Sequence, residues 1–157
     1  MGLSSVLKED VWSSIVLTSC LDRLRFLNIT SDPLTLLLPI LNKCRNSLKE
    51  LNLGDCGTEA AVPIGECSEL EVFHAESARI SDAVIASLVQ CRALKKLTLS
   101  HNYQLTDAAF TGLSEGCWPE METLDLPGCG LLSDAGFSSL ARACPLLVRV
   151  YCVKRRM

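Results

Sequence analysis

Aromatic residues make up only 5% of this 157-residue chain, so any core it buries must be aliphatic. Long apolar runs are missing as well. The strongest, Leu34 to Leu41, contains Pro39 and falls well short of the roughly 20 residues that span a bilayer. Membrane insertion is therefore not expected. There is no excess of positive charge either: 15 Lys and Arg stand against 18 Asp and Glu, for a formal net charge of −3. A chain with a pI near 5.4 offers no basic field to a phosphate backbone, which excludes nucleic acid as the expected partner.

Other absences narrow the chemistry. Gly54-Asp55-Cys56-Gly57 has neither the lysine nor the spacing of a phosphate-binding loop. The two histidines, His74 and His101, come without a partnered nucleophile, and no pair of cysteines shows C-x-x-C spacing. The expectation is a protein that is not an enzyme, with no cofactor and no metal. Val6 stands where a myristoylation signal carries Ser or Thr, and Lys8-Glu9-Asp10 interrupts any signal or transit peptide. An intracellular, reducing compartment is expected, cytoplasm or nucleus, with the mitochondrial matrix as the alternative.

What is present is 48% hydrophobic and 21% charged residue content, the balance of one globular domain. Laid over itself, the chain repeats. Leu94-x-x-Leu97-x-Leu99 matches Met121-x-x-Leu124-x-Leu126, and both run on into Leu105-Thr106-Asp107-Ala-Ala-Phe110 and Leu132-Ser133-Asp134-Ala-Gly-Phe137. The same template recurs as Leu24-Leu27-Ile29, Leu48-Leu51-Leu53, Leu70-Phe73-Ala75 and Leu147-Val150-Cys152. Six copies thus begin at 24, 48, 70, 94, 121 and 147, spaced by 24, 22, 24, 27 and 26 residues. That range is the roughly 20–29 residues of leucine-rich repeats, whose pattern reaches its N/C position in Leu48–Cys56 and in Leu94–Asn102.

Each L-x-L stretch reads as a short strand with its leucines on one side. Across 80–91, 105–117 and 132–144 the triplets Ile85/Leu88/Cys91, Phe110/Leu113/Cys117 and Phe137/Leu140/Cys144 form helical stripes. Ser81, Thr106 and Ser133 are placed to cap these helices, with Asp82, Asp107 and Asp134 in the first turn, where the helix dipole favours negative charge. The stretch between Cys56 and Cys67 holds Pro63 and Gly65 and is too short and broken for a full helix.

The fold expected is an α/β leucine-rich-repeat solenoid of about six repeats, a horseshoe arc with a parallel sheet on the concave face and helices on the convex face. Residues 1–19 are expected to form an N-terminal capping helix, with Val11, Trp12, Ile15 and Val16 covering the first repeat. Residues 20–153 hold the repeats, and 154–157 are a basic tail.

The repeat register accounts for all nine cysteines. Cys20, Cys44, Cys67, Cys91, Cys117 and Cys144 each stand three or four residues before a strand's first apolar position, and Cys152 replaces the last strand leucine. Cys56 and Cys129 occupy the N/C position, where a small polar side chain can bond the neighbouring turn's backbone. Free thiols packed one per turn as small hydrophobes are the reading, without disulfide or metal.

The turn Cys117-Trp-Pro-Glu-Met121-Glu-Thr-Leu124-Asp-Leu126-Pro-Gly-Cys129-Gly-Leu-Leu132-Ser133-Asp134 resembles the cysteine-containing leucine-rich repeats of F-box proteins. The resemblance is specific over 67–152 and looser over 20–66. In that family the repeats select a substrate for ubiquitin ligation, while a separate N-terminal F-box docks the ligase adaptor. Here Val6 to Leu17 reads instead as one amphipathic helix.

The contact face follows from the strand pattern. A central column of Asn28, Asn52, His74, Thr98, Asp125 and Tyr151 is flanked by Phe26, Glu50, Val72, Lys96, Thr123 and Arg149 on one side. Thr30, Gly54, Glu76, Ser100 and Pro127 flank it on the other. This mixed face suits a protein partner, with Phe26, Arg149 and Tyr151 as anchors by residue type. The expected function is a non-enzymatic protein–protein interaction module or small subunit of a larger assembly. The alternatives are the substrate-recognition part of an F-box-type ubiquitin ligase and a regulator or inhibitor of a partner enzyme. The apolar sixth strand, 146–153, is expected to be covered by a partner or a second copy.

Overall fold

The computed structural model of the chain describes residues 2–4, 21–29, 37–55 and 64–152. Seven three-residue strands form one parallel sheet: β1 (Gly2–Ser4), β2 (Phe26–Asn28), β3 (Glu50–Asn52), β4 (Val72–His74), β5 (Lys96–Thr98), β6 (Thr123–Asp125) and β7 (Arg149–Tyr151). They lie side by side in chain order, an open sheet and not a closed barrel. Four α-helices accompany them among the described residues: α1 (Leu37–Cys44), α2 (Asp82–Ser87), α3 (Ala108–Thr111) and α4 (Asp134–Ala143). The fold class is α/β.

Strands β2 to β7 fall on the six L-x-L copies. β1 is a seventh strand that the repeat pattern does not contain, and it pairs Leu3 with Leu27. The helix expected around Val11 to Val16 lies outside the described residues.

All strands share one register, which aligns Leu27, Leu51, Phe73, Leu97, Leu124 and Val150 at the strand centres. The side-chain period of two explains why: a slip of one residue would turn every centre residue out of the core. The first five of these are at most 1% exposed. Leu24, Leu48, Leu70, Leu94 and Met121 ahead of the strands, and Ile29, Leu53, Ala75, Leu99 and Leu126 behind them, are buried with them. Ile40 and Leu41 of α1, Val84 and Ile85 of α2, Phe110 of α3 and Leu140 of α4 close the same core. Its largest side chain is Trp118, fully buried, whose indole N–H donates to the carbonyl of Leu88 at 3.0 Å. A buried indole keeps its donor satisfied this way.

The helices depart from the expected spans for local reasons. α3 stops after four residues, because Gly112 follows it and Gly116 turns the chain at φ +65°, in a stretch of low helix propensity. α4 meets no glycine after Gly136 and runs ten residues. In α1, Pro39 sits in the first turn, where its missing N–H has no intrahelical partner to lose. The segment between Cys56 and Cys67 shows a single 3-10 turn, Ile64–Glu66, in its described part.

Consecutive turns are tied at two further places. Asn102, fully buried, donates to the carbonyls of Ala75 (2.5 Å) and Leu99 (2.8 Å) and accepts from the amide of Ile80 (2.9 Å). One turn later the Cys129 thiol donates to Leu99 O at 3.0 Å, the neighbour-bonding role expected at the N/C position. Asp82 and Asp134 stand in the first turns of α2 and α4 as expected, and Asp107 stands at the N-cap of α3; two of the three also tie turns together. Asp82 accepts from the amide (2.9 Å) and hydroxyl (2.6 Å) of Thr106, and Asp107 accepts from the amide (2.8 Å) and hydroxyl of Ser133. Each carboxylate reaches the next turn, and Thr106 and Ser133 in turn accept from Ala108 and Ala135 at their helix starts. Ser81 makes no such cap hydrogen bond.

Leu97→Ala or Leu124→Ala removes a strand-centre side chain held between two neighbours, so the cavity cannot collapse. The expected loss is about 2–5 kcal/mol in denaturant unfolding; a loss below about 1 kcal/mol would contradict the register.

Candidate functional site

The residues flanking each strand centre point to the other face of the sheet. The register sets Phe26, Glu50, Val72, Lys96, Thr123 and Arg149 in one row across it and Asn28, Asn52, His74, Thr98, Asp125 and Tyr151 in a second. Both columns expected from the sequence are therefore assembled, with neighbours about 4.8 Å apart along each. Lys96, Arg149 and Tyr151 are exposed, and Phe26, Asn28, Glu50, Asn52, His74 and Asp125 are half-buried. In the third column Glu76 is exposed, Gly54 and Pro127 are half-buried and Ser100 is buried; Thr30 lies outside the described residues.

Thr98 departs from the expected open position. It is only 9% exposed, flanked in the register by His74 and Asp125. Among the described residues two buried side-chain polar atoms have no hydrogen-bond partner, Thr98 Oγ1 and Asn28 Oδ1. Both belong to the central column. A buried polar atom left unpaired costs about 1–3 kcal/mol, so two of them in one row of the face mark where an incoming group would gain most.

His74 sits between them. Burial depresses its pKa first and the nearby Lys96 ammonium second, against the opposing pull of Glu50 and Asp125. It is uncharged at neutral pH and offers one donor and one acceptor.

A charged ladder runs along the rim, centred on the position just before β3 to β6. Glu71 accepts from Lys49 and, at 3.0 Å, from Lys95; Lys95 also lies 3.9 Å from Glu120. The hydrogen bonds from Lys49 and then Lys95 hold the Glu71 carboxyl below its usual range. The sequence signal was the alternating sign of Lys49, Glu71, Lys95 and Glu122 at one repeat position, a column outside those singled out above.

Beyond the strands, Asp55, Ser77, His101 and Gly128 adopt positive φ of 55°, 53°, 61° and 79°, each three residues past its strand. Gly128 is required twice over: besides its φ, a Cβ there would stand 2.6 Å from Nδ1 of His101. That imidazole meets the Tyr103 hydroxyl at 3.2 Å.

Among the described residues no group of three or more His, Cys, Asp or Glu side chains is placed to share a metal ion, and no helix is long and apolar enough to cross a membrane. Cys44, Cys67, Cys91, Cys117, Cys129 and Cys144 are buried free thiols. Burial pushes Cys44 up to about 11 and Cys67, Cys91 and Cys144 up to about 12. Cys152 is the exception to the packing expected of the repeat thiols: it is exposed. Cys20 and Cys56 fall outside the described residues.

The chain matches no protein-family model, and comparison with curated proteins returns no match.

Maleimide labelling mapped by mass spectrometry should modify Cys152 first among these seven thiols, since the six buried groups stay protonated and shielded. The buried Cys67, Cys91 and Cys144 thiols hold their protons above the ordinary value of 9.0, so their contribution to stability is full below pH 9 and is lost as pH rises toward about 12. The denaturant midpoint should fall across that window, and labelling of Cys91 as fast as Cys152 would refute the packing.

Thr98→Val replaces the unpaired hydroxyl with a methyl group of similar shape. The free protein should keep its stability within about 0.5 kcal/mol or gain. A loss above about 1 kcal/mol in thermal or denaturant unfolding would show that the hydroxyl is satisfied.

Proposed function

We propose that the chain is a non-enzymatic protein-interaction module that binds its partner through the face carrying Asn28, Asn52, His74, Thr98 and Asp125. On this reading the turns are leucine-rich repeats stacked as a solenoid, with the sheet on the concave side and the helices on the convex side. The observation that carries it is the pair of unpaired buried polar atoms, Asn28 Oδ1 and Thr98 Oγ1, in one registered column. A partner that donates to Asn28 Oδ1 and exchanges a hydrogen bond with the Thr98 hydroxyl recovers what the free protein forgoes. The exposed ends of the face supply Arg149 and Tyr151 as anchors, residue types that dominate interface energies. The buried free thiols support a reducing compartment, cytoplasm or nucleus.

Affinity capture from the native cell tests this with three baits: the wild-type chain, the double variant Asn52→Arg/His74→Ala, and Lys43→Ala/Arg92→Ala on the helical side. Thermal unfolding first verifies that each variant folds. Proteins recovered with wild type and the helical-side variant should drop at least about tenfold with the face variant, the effect of losing one central contact. Equal recovery with both variants would refute the face. A ligase adaptor and cullin among the face-dependent proteins would assign the substrate-recognition role of F-box proteins, and an enzyme whose activity falls on binding would assign a regulator.

A further inference from the structure

Among the described residues β7 is an edge of the sheet, and it leaves open what β2 to β6 close. Val150 holds the register position of Leu27, Leu51, Phe73, Leu97 and Leu124, yet it is 46% exposed where they are at most 1%. Leu146, Val148 and Tyr151 are 59%, 74% and 55% exposed, and all three residues of β7 are exposed. Beside the strand, Phe137, Ser138 and Ala141 of α4 line a shallow groove with Asp134 and Cys152.

The backbone of this edge can be read from the ladder. Lys49, Glu71, Lys95 and Glu122, the residues before β3 to β6, each offer their carbonyl to two amides of the following strand. Leu53, Ala75, Leu99 and Leu126, the residues after those strands, each donate their amide to the carbonyl of the following strand's last residue. Carried one strand on, the same pattern turns the carbonyl of Val148, the N–H and carbonyl of Val150 and the N–H of Cys152 away from β6.

We propose that this edge is the association surface for a second copy of the chain, the two β7 strands pairing antiparallel about a two-fold axis at Val150. The commitment to a second copy rests on self-complementarity. In that register Val150 faces Val150 of the other copy and the two exchange both their hydrogen bonds, as a closely bonded antiparallel pair does. Val148 faces Cys152, and the outward carbonyl of one meets the outward N–H of the other. Every group that the ladder leaves pointing away from β6 is used. Side chains alternate, so Val148, Val150 and Cys152 of both copies lie on the core side and continue the buried strip of strand-centre residues. On the opposite side each Arg149 faces the Tyr151 ring of the other copy, a cation–π pair across the strands. The contact is isologous and closes on two chains, whereas a parallel, head-to-tail addition at the same edge would propagate without end.

The surface shares Arg149 and Tyr151 with the proposed partner-binding face but not Asn52 or His74, so Val150→Lys and Asn52→Arg/His74→Ala test the two separately. Sedimentation equilibrium of the purified chain should show a monomer–dimer equilibrium with a dissociation constant in the micromolar range. Val150→Lys should be monomeric throughout, with an unchanged circular dichroism spectrum, because Val150 is already half exposed. Arg149→Glu, outside the core strip, should weaken the dimer several-fold. Hydrogen exchange locates the contact: the amides of Val150 and Cys152 should gain protection with increasing wild-type concentration, while those of Arg149 and Tyr151, already bonded to β6, should not change. A wild-type chain that stays monomeric at about 100 μM overturns the proposal. So does a dimer that survives Val150→Lys, or one that is lost on Asn52→Arg instead.

Discussion

The fold depends on one constraint: a single apolar residue at the centre of each three-residue strand must stand in line with its neighbours. Three residues of parallel ladder make few hydrogen bonds and would not hold by themselves. Burial of Leu27, Leu51, Phe73, Leu97 and Leu124 between adjacent turns supplies the stabilisation, at about 1.5–3 kcal/mol for each large side chain fully removed from water. Once the centres are aligned, the residues on either side of each strand have no freedom in where they point. The row of core leucines and the rows of the opposite face are two consequences of the same register.

The remaining ties act where the ladder ends. Asn102 and Cys129 bond backbone of the neighbouring turn just past the strand, and the carboxylates of Asp82 and Asp107 bond the next turn at its helix start. Between the turns that begin at 70, 94 and 121 these make three levels of attachment, which explain why connections of unequal length are tolerated there. The turn holding α3 is the longest of the repeats, yet its helix is the shortest, and the surplus residues run through Gly112 to Pro119 without moving either strand. Length varies between the ties and not at them. The cost of the arrangement falls on the edge strand β7, whose centre Val150 has a strand neighbour on one side only among the described residues and is 46% exposed.

The strands were legible in the sequence because leucine spacing encodes them directly, and the face columns followed from the period of two. The helix lengths were not, since Gly112 and Gly116 weigh against Phe110 and Leu113 in a contest that apolar spacing does not report. Asp82 and Asp107 illustrate a different limit: a carboxylate at a helix start suits the dipole of its own helix, and only the stacking distance between turns shows that it reaches Thr106 or Ser133. The positive-φ position after each strand was equally hidden. Three of its four occupants are Asp55, Ser77 and His101, which accept that backbone at a cost, and only Gly128 carries the usual glycine signature. At the face, sequence placed Thr98 with its column but not its depth, because burial there is set by the side chains of the adjacent strands.

Charge on the face bears on the kind of recognition proposed for it. Glu50, Glu76 and Asp125 oppose Lys96 and Arg149, and His74 stays neutral because burial and Lys96 outweigh the carboxylates near it. The rim cations Lys49 and Lys95 are already engaged by Glu71. With no net field of either sign, long-range steering contributes little to encounter, and association should proceed at the slower rates of neutral surfaces. Discrimination is then left to short-range geometry. An unpaired acceptor is indifferent to a distant charge but costs the complex its full desolvation unless a donor arrives in the right place. Asn28 Oδ1 and Thr98 Oγ1 stand three strands apart, about 14 Å at ordinary strand spacing. On the proposed reading a partner presents a donor to Asn28 Oδ1 and a donor or an acceptor to the Thr98 hydroxyl at that separation, with apolar or neutral groups between them, which is a requirement on shape that few surfaces meet by chance.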